Sequence, residues 1–194
     1  MQSTPPVHAS RKMILVRHGA TAPNLAGLRC GGDLDVPLTE LGRRQAEHAA
    51  LCIREFGTPV GVIVASHLRR TRETAQIIGH VLGGVEVVIE PTFAERRLGA
   101  WNLRSVAETA SELAAGVTPH GGESNADFVD RIAGAIDTLW PHLSRRPLLV
   151  GSKGVVRVLQ ELLGLPGRAD VPNGEVMHFD LAALSPRLGA GCHA

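Results

Sequence analysis

Short apolar runs of strand length alternate with helical patterns along this chain. The runs are MILV from Met13, VGVIVA from Val60, VEVVI from Val85 and LLVG from Leu148. They are rich in β-branched side chains, and helical patterns separate them where hairpin turns would be expected in an all-β protein. This alternation predicts an α/β fold with a largely parallel central sheet.

Apolar residues recur at helical spacing between and after these runs. The stretches that carry such a stripe are 38–56, 68–82, 128–143 and 154–164. Charged side chains occupy the opposite face of the first stripe, and Thr39 is a suitable N-cap for it. We therefore expect four helices that pack against the sheet.

Residues that favour helix ends mark the boundaries of these helices. Ser124 and Asp127 resemble a capping box in front of the third helix. Gly83 and Gly84 follow the second helix, and Gly164 follows the fourth, where glycine is a common C-terminal residue. These signals set the predicted ends of the helices.

The composition is that of an ordinary globular domain. The chain has 194 residues, of which 44% are hydrophobic and 20% charged, and we interpret residues 1–194 as a single domain. Lys and Arg number 20 against 19 Asp and Glu, which gives a formal charge of +1. This balance provides no overall attraction to nucleic acid or to an anionic membrane, so any preference for anions must be local.

Cysteine usage and the chain ends favour a cytoplasmic protein. Cys30, Cys52 and Cys192 are widely spaced and are interpreted as reduced thiols. The start of the chain lacks the layout of a signal peptide, and no apolar stretch is long enough to cross a bilayer. Residues 1–12 and about 185–194 lack a periodic apolar face and are expected to be flexible.

Cationic residues follow three of the predicted strands. The turns read RHG at 17–19, SHLRR at 66–70 and SKG at 152–154. In an open parallel sheet, ligands bind at the carboxyl ends of the strands, where helix N-termini favour anions. Guanidinium groups also match phosphate oxygens in pairs. One such turn alone would fit solvated surface residues, but the three together predict a phosphate pocket.

The sequence around His18 is more specific than a single histidine. The segment LVRHGATAPN resembles the RHGxTxxN signature of the histidine phosphatase superfamily, the phosphoglycerate mutase-like proteins. Segments 32–46, 66–75, 94–102 and 121–124 are similar to further blocks of that family, in the same order. Agreement over roughly residues 13–160 identifies the chain as a member of the superfamily. The resemblance implies a three-layer α/β/α fold with a mostly parallel central sheet, and neither a metal nor a cofactor.

The resemblance implies a role for each matched residue near His18. His18 would be the nucleophile that takes the phosphoryl group onto a ring nitrogen. Arg17, Asn24 and Arg70 would hold phosphate oxygens. Nearby arginines are expected to lower the pKa of His18, which keeps the ring neutral and able to attack.

Glu95 matches the acid of the family. It would protonate the departing alcohol and then activate water, a role that contributes about 10²- to 10⁴-fold to the rate. The adjacent Arg96 and Arg97 leave open an alternative in which Glu95 belongs to a surface ion cluster.

The last signature of the family has a histidine where this sequence has Lys153, followed by Gly154. The resemblance implies that Lys153 occupies a catalytic position and that both residues bind the phosphate. An ammonium group can still bind phosphate electrostatically, but the planar imidazole geometry is lost. The matched residues favour a metal-independent phosphomonoester hydrolase with a phosphohistidine intermediate. A catalytically weak or silent protein that binds phosphoesters and a phosphoryl transferase of the phosphoglycerate mutase type remain as alternatives.

Residues about 100–145 are expected to form a lid over the pocket. Within it Trp101, Arg104, His120 and Arg131 are candidates for substrate contacts and equally for structural roles. The expected partner is a small phosphorylated substrate, without nucleic acid or membrane. The sequence leaves the identity of the substrate and the oligomeric state open.

Overall fold

A five-stranded sheet forms the centre of the computed structural model, which describes residues 11–168 and 170–184. The strands are β1 Lys12–Arg17, β2 Val62–Ala65, β3 Val87–Ile89, β4 Pro147–Gly151 and β5 Val176–Asp180. Their order in the sheet is β3-β2-β4-β1-β5. Strands β1 to β4 are parallel to one another, and β5 pairs antiparallel with β1. The predicted α/β fold with a mostly parallel sheet is confirmed.

Helices cover both faces of the sheet. The α-helices are α1 Ala22–Leu25, α2 Glu40–Glu55, α3 Arg69–Val81, α4 Ala110–Ala114, α5 Asn125–Ala135 and α6 Lys153–Leu162. Segments of 3₁₀-helix are Pro91–Phe93, Gly99–Trp101, Ile136–Arg145 and Leu181–Ala183. Thr39 caps α2 by accepting a hydrogen bond from the Gly42 N–H, and Ser124 caps α5 through the Asp127 N–H, as predicted.

The alternation of side chains along β1 divides the core into two layers. Ile14 and Val16 pack with residues of α2 and α3 on one face of the sheet. Met13 and Leu15 pack with residues of α5 and α6 on the other face. Because strand side chains alternate between faces, one apolar run can supply both layers. The three-layer arrangement follows from this burial on both sides.

Two elements differ from the sequence prediction. Strand β5 was not predicted, although its side chains alternate between buried and exposed, with Met177 and Phe179 buried. The third helix was predicted as continuous to residue 143, but its α-helical part ends at Ala135 and a 3₁₀ segment follows. Pro141 lies inside that segment, where it lacks the N–H that an α-helix would use.

Some expectations concern residues at the edge of the described chain or beyond it. Residues 1–12 were expected to be flexible, but Lys12 already belongs to strand β1. Apart from Arg11, the other residues expected to be flexible lie outside the described part. Cys30 and Cys52 are free thiols, whereas Cys192 lies outside the described residues. Within 11–168 and 170–184, no helix is long and apolar enough to traverse a bilayer.

Two glycines bring the turn after β1 into contact with helix α2. A Cβ atom on Gly42 would lie 2.2 Å from the carbonyl oxygen of Ala20, and one on Gly19 would lie 2.1 Å from that of Gly42. Both distances are far below a van der Waals contact, and both neighbours are backbone atoms. Because neither glycine has a side chain, the turn that carries His18 can lie directly against the backbone of α2.

We expect Gly42→Ala to destabilise the protein by about 1–3 kcal/mol, because the added methyl group must displace backbone. Gly134→Ala in α5 is the matched control, since a Cβ at Gly134 meets no atom within 4 Å. Alanine in a helix is about 0.5–1 kcal/mol more favourable than glycine, so the control is expected to be stabilised. Urea denaturation of both variants tests this prediction. Changes of the same sign in their free energies of unfolding would contradict the steric argument.

Candidate active site

The carboxyl ends of β1 and β4 open into a cavity of about 310 Å³. Its walls include most of the residues that the sequence singled out. They are Arg17, His18, Asn24, Glu95, Lys153 and Gly154. The fold therefore brings together side chains from the turn after β1, the segment after β3 and the start of α6.

His18 is buried at the base of this cavity, with 4% of its surface exposed. Its backbone N–H donates to the Gly151 carbonyl, and its Nδ1 lies 2.8 Å from the Gly19 carbonyl oxygen. Because a carbonyl only accepts, Nδ1 carries the proton of the neutral ring and Nε2 keeps its lone pair. Burial lowers the pKa of His18 well below 6.5, and the charges of Arg70 and Arg17 lower it further. The arginines thus act as expected, but burial is the larger cause.

Arg17 and Arg70 each retain a buried N–H group without a partner among the described residues. Arg17 donates from Nη1 to the Val171 carbonyl, and its Nε is unpaired. Arg70 is fully buried, donates to the carbonyls of Leu34 and Gly31, and also has an unpaired Nε. Buried donors are rarely left unsatisfied, so these two groups are suited to an oxyanion.

Asn24 is held in the cavity wall by the turn after β1 and by the loop before β5. Its Oδ1 accepts from the Thr21 N–H and from Nδ2 of Asn173. The same Asn173 amide donates to the His18 carbonyl at 2.8 Å. Asn173 therefore connects the backbone of His18 to the side chain of Asn24.

The carboxylate of Glu95 joins two parts of the chain. It accepts a hydrogen bond from the Gly154 N–H at 2.9 Å and another from the Arg96 N–H at 2.7 Å. A Cβ at Gly154 would lie 2.1 Å from Oε1 of Glu95, so a larger residue there would displace the carboxylate. These contacts fix Glu95 beside the start of α6.

An ion pair between Glu123 and Arg131 supports the segment that carries Glu95. Glu123 is 5% exposed and meets the Arg131 guanidinium with both carboxylate oxygens, at 2.7 and 2.9 Å. Arg131 also donates to the carbonyls of Thr92 and Ala94 at 2.7 and 2.9 Å. We call this the Glu123–Arg131 clamp.

The four candidates for substrate contacts lie away from the cavity wall. Arg131 belongs to the clamp, and Trp101 is buried. Arg104 pairs with Glu112 on the surface, and His120 is exposed. The part of the predicted lid that borders the cavity comprises Val106, Leu113, Asn125 and Phe128. Within residues 11–168 and 170–184, no group of three or more His, Cys, Asp or Glu side chains is placed to hold a metal ion.

Lys153 lies at the mouth of the cavity. Its Nζ is 3.7 Å from the carboxylate of Asp170, and about a third of its side chain is exposed. Burial lowers the pKa of Lys153, and the charges of Arg157 and Arg17 lower it further, against the opposing effect of Asp170. The ammonium therefore lies close to other cations as well as to one acid.

A wall of main-chain hydrogen bonds closes one side of the cavity. The Arg29 N–H donates to the Arg104 carbonyl, and the Leu103 N–H donates back to Arg29. The Val106 N–H donates to the Gly27 carbonyl. Segments 27–29 and 103–106 are thus paired, and we call them the paired rim.

Comparison with known proteins identifies the family. A model of the histidine phosphatase superfamily (branch 1) matches residues 13–187. The chain belongs to this superfamily. It is 37% identical over 174 residues to glucosyl-3-phosphoglycerate phosphatase of Mycolicibacterium vanbaalenii, which covers 80% of this chain and 76% of the relative. It is 34% identical over 172 residues to a protein of Erwinia tasmaniensis named probable phosphoglycerate mutase GpmB, with 82% and 78% covered.

Solved structures of the histidine phosphatase superfamily share the fold. A mycobacterial glucosyl-3-phosphoglycerate phosphatase complexed with VO3 matches with a TM-score of 0.72 at 31% identity, covering 87% of this chain and 90% of that one. Relatives in the superfamily are named phosphatases or phosphoglycerate mutases, and this chain is a phosphatase-like member.

The sequence reasoning missed several polar residues of the site. Among them are Arg29, Arg157 and Asn173. Arg157 could have been found, because it lies one helical turn after Lys153 and thus on the same face of α6. Asn173 lies in the loop before the strand that was not predicted, and Arg29 follows no strand.

Proposed function

We propose that this protein is a metal-independent phosphomonoester hydrolase that forms a phosphohistidine intermediate on His18. The observation that carries the proposal is the hydrogen bond from Nδ1 of His18 to the Gly19 carbonyl. It leaves Nε2 unprotonated in a cavity that also holds Arg17, Lys153 and Glu95. A nucleophile, cations and an acid within one cavity are what phosphoryl transfer requires.

The reaction has two steps. In the first, Nε2 of His18 bonds to phosphorus as the bond to the ester oxygen breaks, and Glu95 gives a proton to the departing alcohol. In the second, water attacks phosphorus, the phosphorus–nitrogen bond breaks, and Glu95 takes the proton of that water. Arg17 and Lys153 offset the negative charge of the phosphoryl group in both steps.

Phosphate release from a panel of phosphomonoesters, measured without added metal and in the presence of EDTA, tests this function. Rapid quench with a ³²P-labelled ester is expected to trap an acid-labile phosphoenzyme that rises and then decays. A persistent phosphoenzyme with isomerised product would favour a mutase. No release and no phosphoenzyme would overturn the hydrolase.

A protein that binds phosphoesters with little turnover is the second candidate. The ion pair between Lys153 and Asp170 favours it, because a carboxylate of the chain competes with phosphate for the ammonium. Lys153→His distinguishes the two functions. A large gain in turnover would indicate that the lysine impairs catalysis, whereas a loss would indicate a site adapted to it.

The depressed pKa of His18 predicts a neutral ring in mildly acidic solution. Its folded pKa lies well below 6.5, so the ring gains a proton only at a pH far below that value. We expect the His18 ring signal in NMR spectra to stay unchanged as the pH falls from 7.5 to 5.5, with its assignment given by its loss in His18→Ala. Protonation near pH 6.5 would contradict the effect of burial.

A further inference from the structure

The loop directly before β5 binds the backbone beside His18. In this loop, the Gly174 N–H donates to the Arg17 carbonyl at 2.9 Å. The Arg17 N–H donates in turn to the Glu175 carbonyl at 3.1 Å. These two bonds extend the antiparallel pairing of β1 with β5 as far as the residue before His18. The loop therefore places its side chains next to the turn that carries His18.

Asn173 projects from this loop with its amide NH₂ group towards the turn after β1. Its Nδ2 lies 2.8 Å from the His18 carbonyl oxygen and 3.3 Å from Oδ1 of Asn24. Because a backbone carbonyl only accepts hydrogen bonds, the group of Asn173 that meets it is the NH₂. An amide NH₂ has two donor hydrogens, so it can donate to both oxygens at once. The partners of Asn173 therefore fix the orientation of its amide.

The same reasoning fixes the amide of Asn24. Its Oδ1 accepts from the Thr21 N–H at 3.2 Å, and a backbone N–H can only donate. Oδ1 therefore accepts both bonds, one from Thr21 and one from Asn173. Nδ2 of Asn24 is left without a hydrogen-bond partner among residues 11–168 and 170–184. Because Asn24 lines the cavity, this NH₂ group is available to an oxygen of a bound phosphate.

The side chain of Asn24 depends on Asn173 more than the backbone of His18 does. His18 has a second anchor, because its own N–H donates to the Gly151 carbonyl at 2.9 Å. In the part of the chain that the structure describes, Thr21 and Asn173 are the hydrogen-bond partners of the Asn24 amide. Without Asn173, that amide would keep one bond, 3.2 Å long, and would rotate more freely.

We propose that Asn173 is a positioning residue that directs the NH₂ group of Asn24 towards the phosphate of the substrate. The proposal rests on the proposed phosphatase function, since it places the ester phosphate at His18 and beside Asn24. Asn173 acts through Asn24, because its bond to Oδ1 orients Nδ2 before the substrate binds. Less rotational freedom of the Asn24 side chain is then lost on binding. Asn173 needs no contact of its own with the phosphate.

A double-mutant cycle tests whether Asn173 acts through Asn24. Phosphate release from one hydrolysed phosphomonoester is measured with the wild type, Asn24→Ala, Asn173→Ala and the double variant. We expect Asn24→Ala to lower kcat/KM by about 10- to 100-fold, as for a hydrogen bond to a charged group. Asn173→Ala should lower it by about 3- to 10-fold, as for one neutral hydrogen bond. In the Asn24→Ala background, Asn173→Ala should lower it further by no more than about 2-fold.

Asn125→Ala is the matched control for this cycle. Asn125 also lies in the wall of the cavity, but it has no hydrogen bond to Asn24. Any loss of kcat/KM that it causes should be the same factor in the wild type and in Asn24→Ala. Equal factors for Asn173→Ala in the two backgrounds would overturn the positioning role. Unchanged kcat/KM in Asn24→Ala would overturn it as well.

NMR spectra of the side-chain amides give a test that does not require Asn173→Ala to fold. The NH₂ signals of Asn24, identified by their loss in Asn24→Ala, should shift when inorganic phosphate is added to the wild type. In Asn173→Ala the same addition should shift them less, because the amide is no longer directed towards the phosphate. Wild-type signals of Asn24 that stay unchanged on binding of phosphate would contradict the proposal.

Failure of the positioning role and failure of the phosphatase function give different results. Turnover with independent effects of the two substitutions would overturn the positioning role and leave the phosphatase standing. If the wild type hydrolyses no ester, the phosphatase proposal fails. Calorimetric dissociation constants for inorganic phosphate then replace kcat/KM in the same cycle, and independent effects on affinity would overturn the positioning role. A wild type that neither hydrolyses esters nor binds phosphate would overturn both proposals.

Discussion

His18→Ala is expected to lower phosphate release by a factor on the order of 10⁴ or more, because the proposed nucleophile is removed from a site that otherwise stays intact. Labelled phosphate should no longer be trapped on the protein. Among residues 11–168 and 170–184, the ring has one hydrogen-bond partner, the Gly19 carbonyl at Nδ1, so the fold should tolerate its loss. Steady-state phosphate release and acid-quench trapping measure the two effects.

His67→Ala is the matched control for this substitution. His67 follows the neighbouring strand β2 in a comparable turn, but it is exposed and lies outside the cavity wall. It should retain wild-type turnover and phosphoenzyme. His18→Asn, with a thermal melt close to that of the wild type, separates loss of the nucleophile from loss of the fold. A phosphoenzyme that persists in both His18 variants would place the nucleophile elsewhere.

Arg131→Met is expected to destabilise the protein by about 3–5 kcal/mol, since it leaves the buried carboxylate of Glu123 without its cation. The carbonyls of Thr92 and Ala94 lose their donor as well, so Glu95 should be misplaced and kcat should fall. Guanidinium denaturation and kinetics at a temperature where the variant is folded measure these effects.

The loss of stability in Arg131→Met should depend on pH, because it arises from the charge of Glu123. Burial alone would raise the pKa of Glu123, but hydrogen bonds and charge from Arg131 outweigh it and lower the pKa. The stability that the clamp provides is therefore present above the ordinary carboxyl pKa and disappears as the pH falls through the folded value. The difference in free energy of unfolding between the wild type and Arg131→Met should become smaller as the solution is made acidic.

Arg145→Met supplies the comparison for the Glu123–Arg131 clamp. Arg145 and Glu86 are also 2.7 Å apart, but both side chains are largely exposed. Such surface pairs contribute about 0–1 kcal/mol, so this variant should remain close to the wild type in stability. Equal losses of stability in Arg131→Met and Arg145→Met would show that burial does not make the Glu123–Arg131 pair stronger than the Arg145–Glu86 pair.

The parts of the fold that the sequence predicted are those with a strong local pattern. Strands β1 and β4 are apolar on both faces because helices cover both, and that leaves an unbroken run in the sequence. Strand β5 is at the edge and alternates, so only Met177 and Phe179 signal it. A five-residue alternation after a loop rich in proline and glycine is too short to stand out.

The site was predictable where the chain supplies a motif and unpredictable where the tertiary structure makes the contact. His18, Asn24 and Glu95 were found from the resemblance. The resemblance also pointed to Arg70. Nothing in the sequence indicates that its guanidinium is fully buried and held by the carbonyls of Leu34 and Gly31 from a distant loop. The clamp was equally hidden, since Glu123 and Arg131 meet the Glu95 segment only after α5 docks.

The paired rim constrains how a substrate reaches His18. Moving this wall aside would break the main-chain hydrogen bonds between segments 27–29 and 103–106 together with the contacts of the Arg29 side chain. We therefore expect the amides of Leu103 and Val106 to exchange with deuterium only in rare cooperative openings. Substrates would then enter through a mouth whose width changes little, which would select them by size before any chemistry begins.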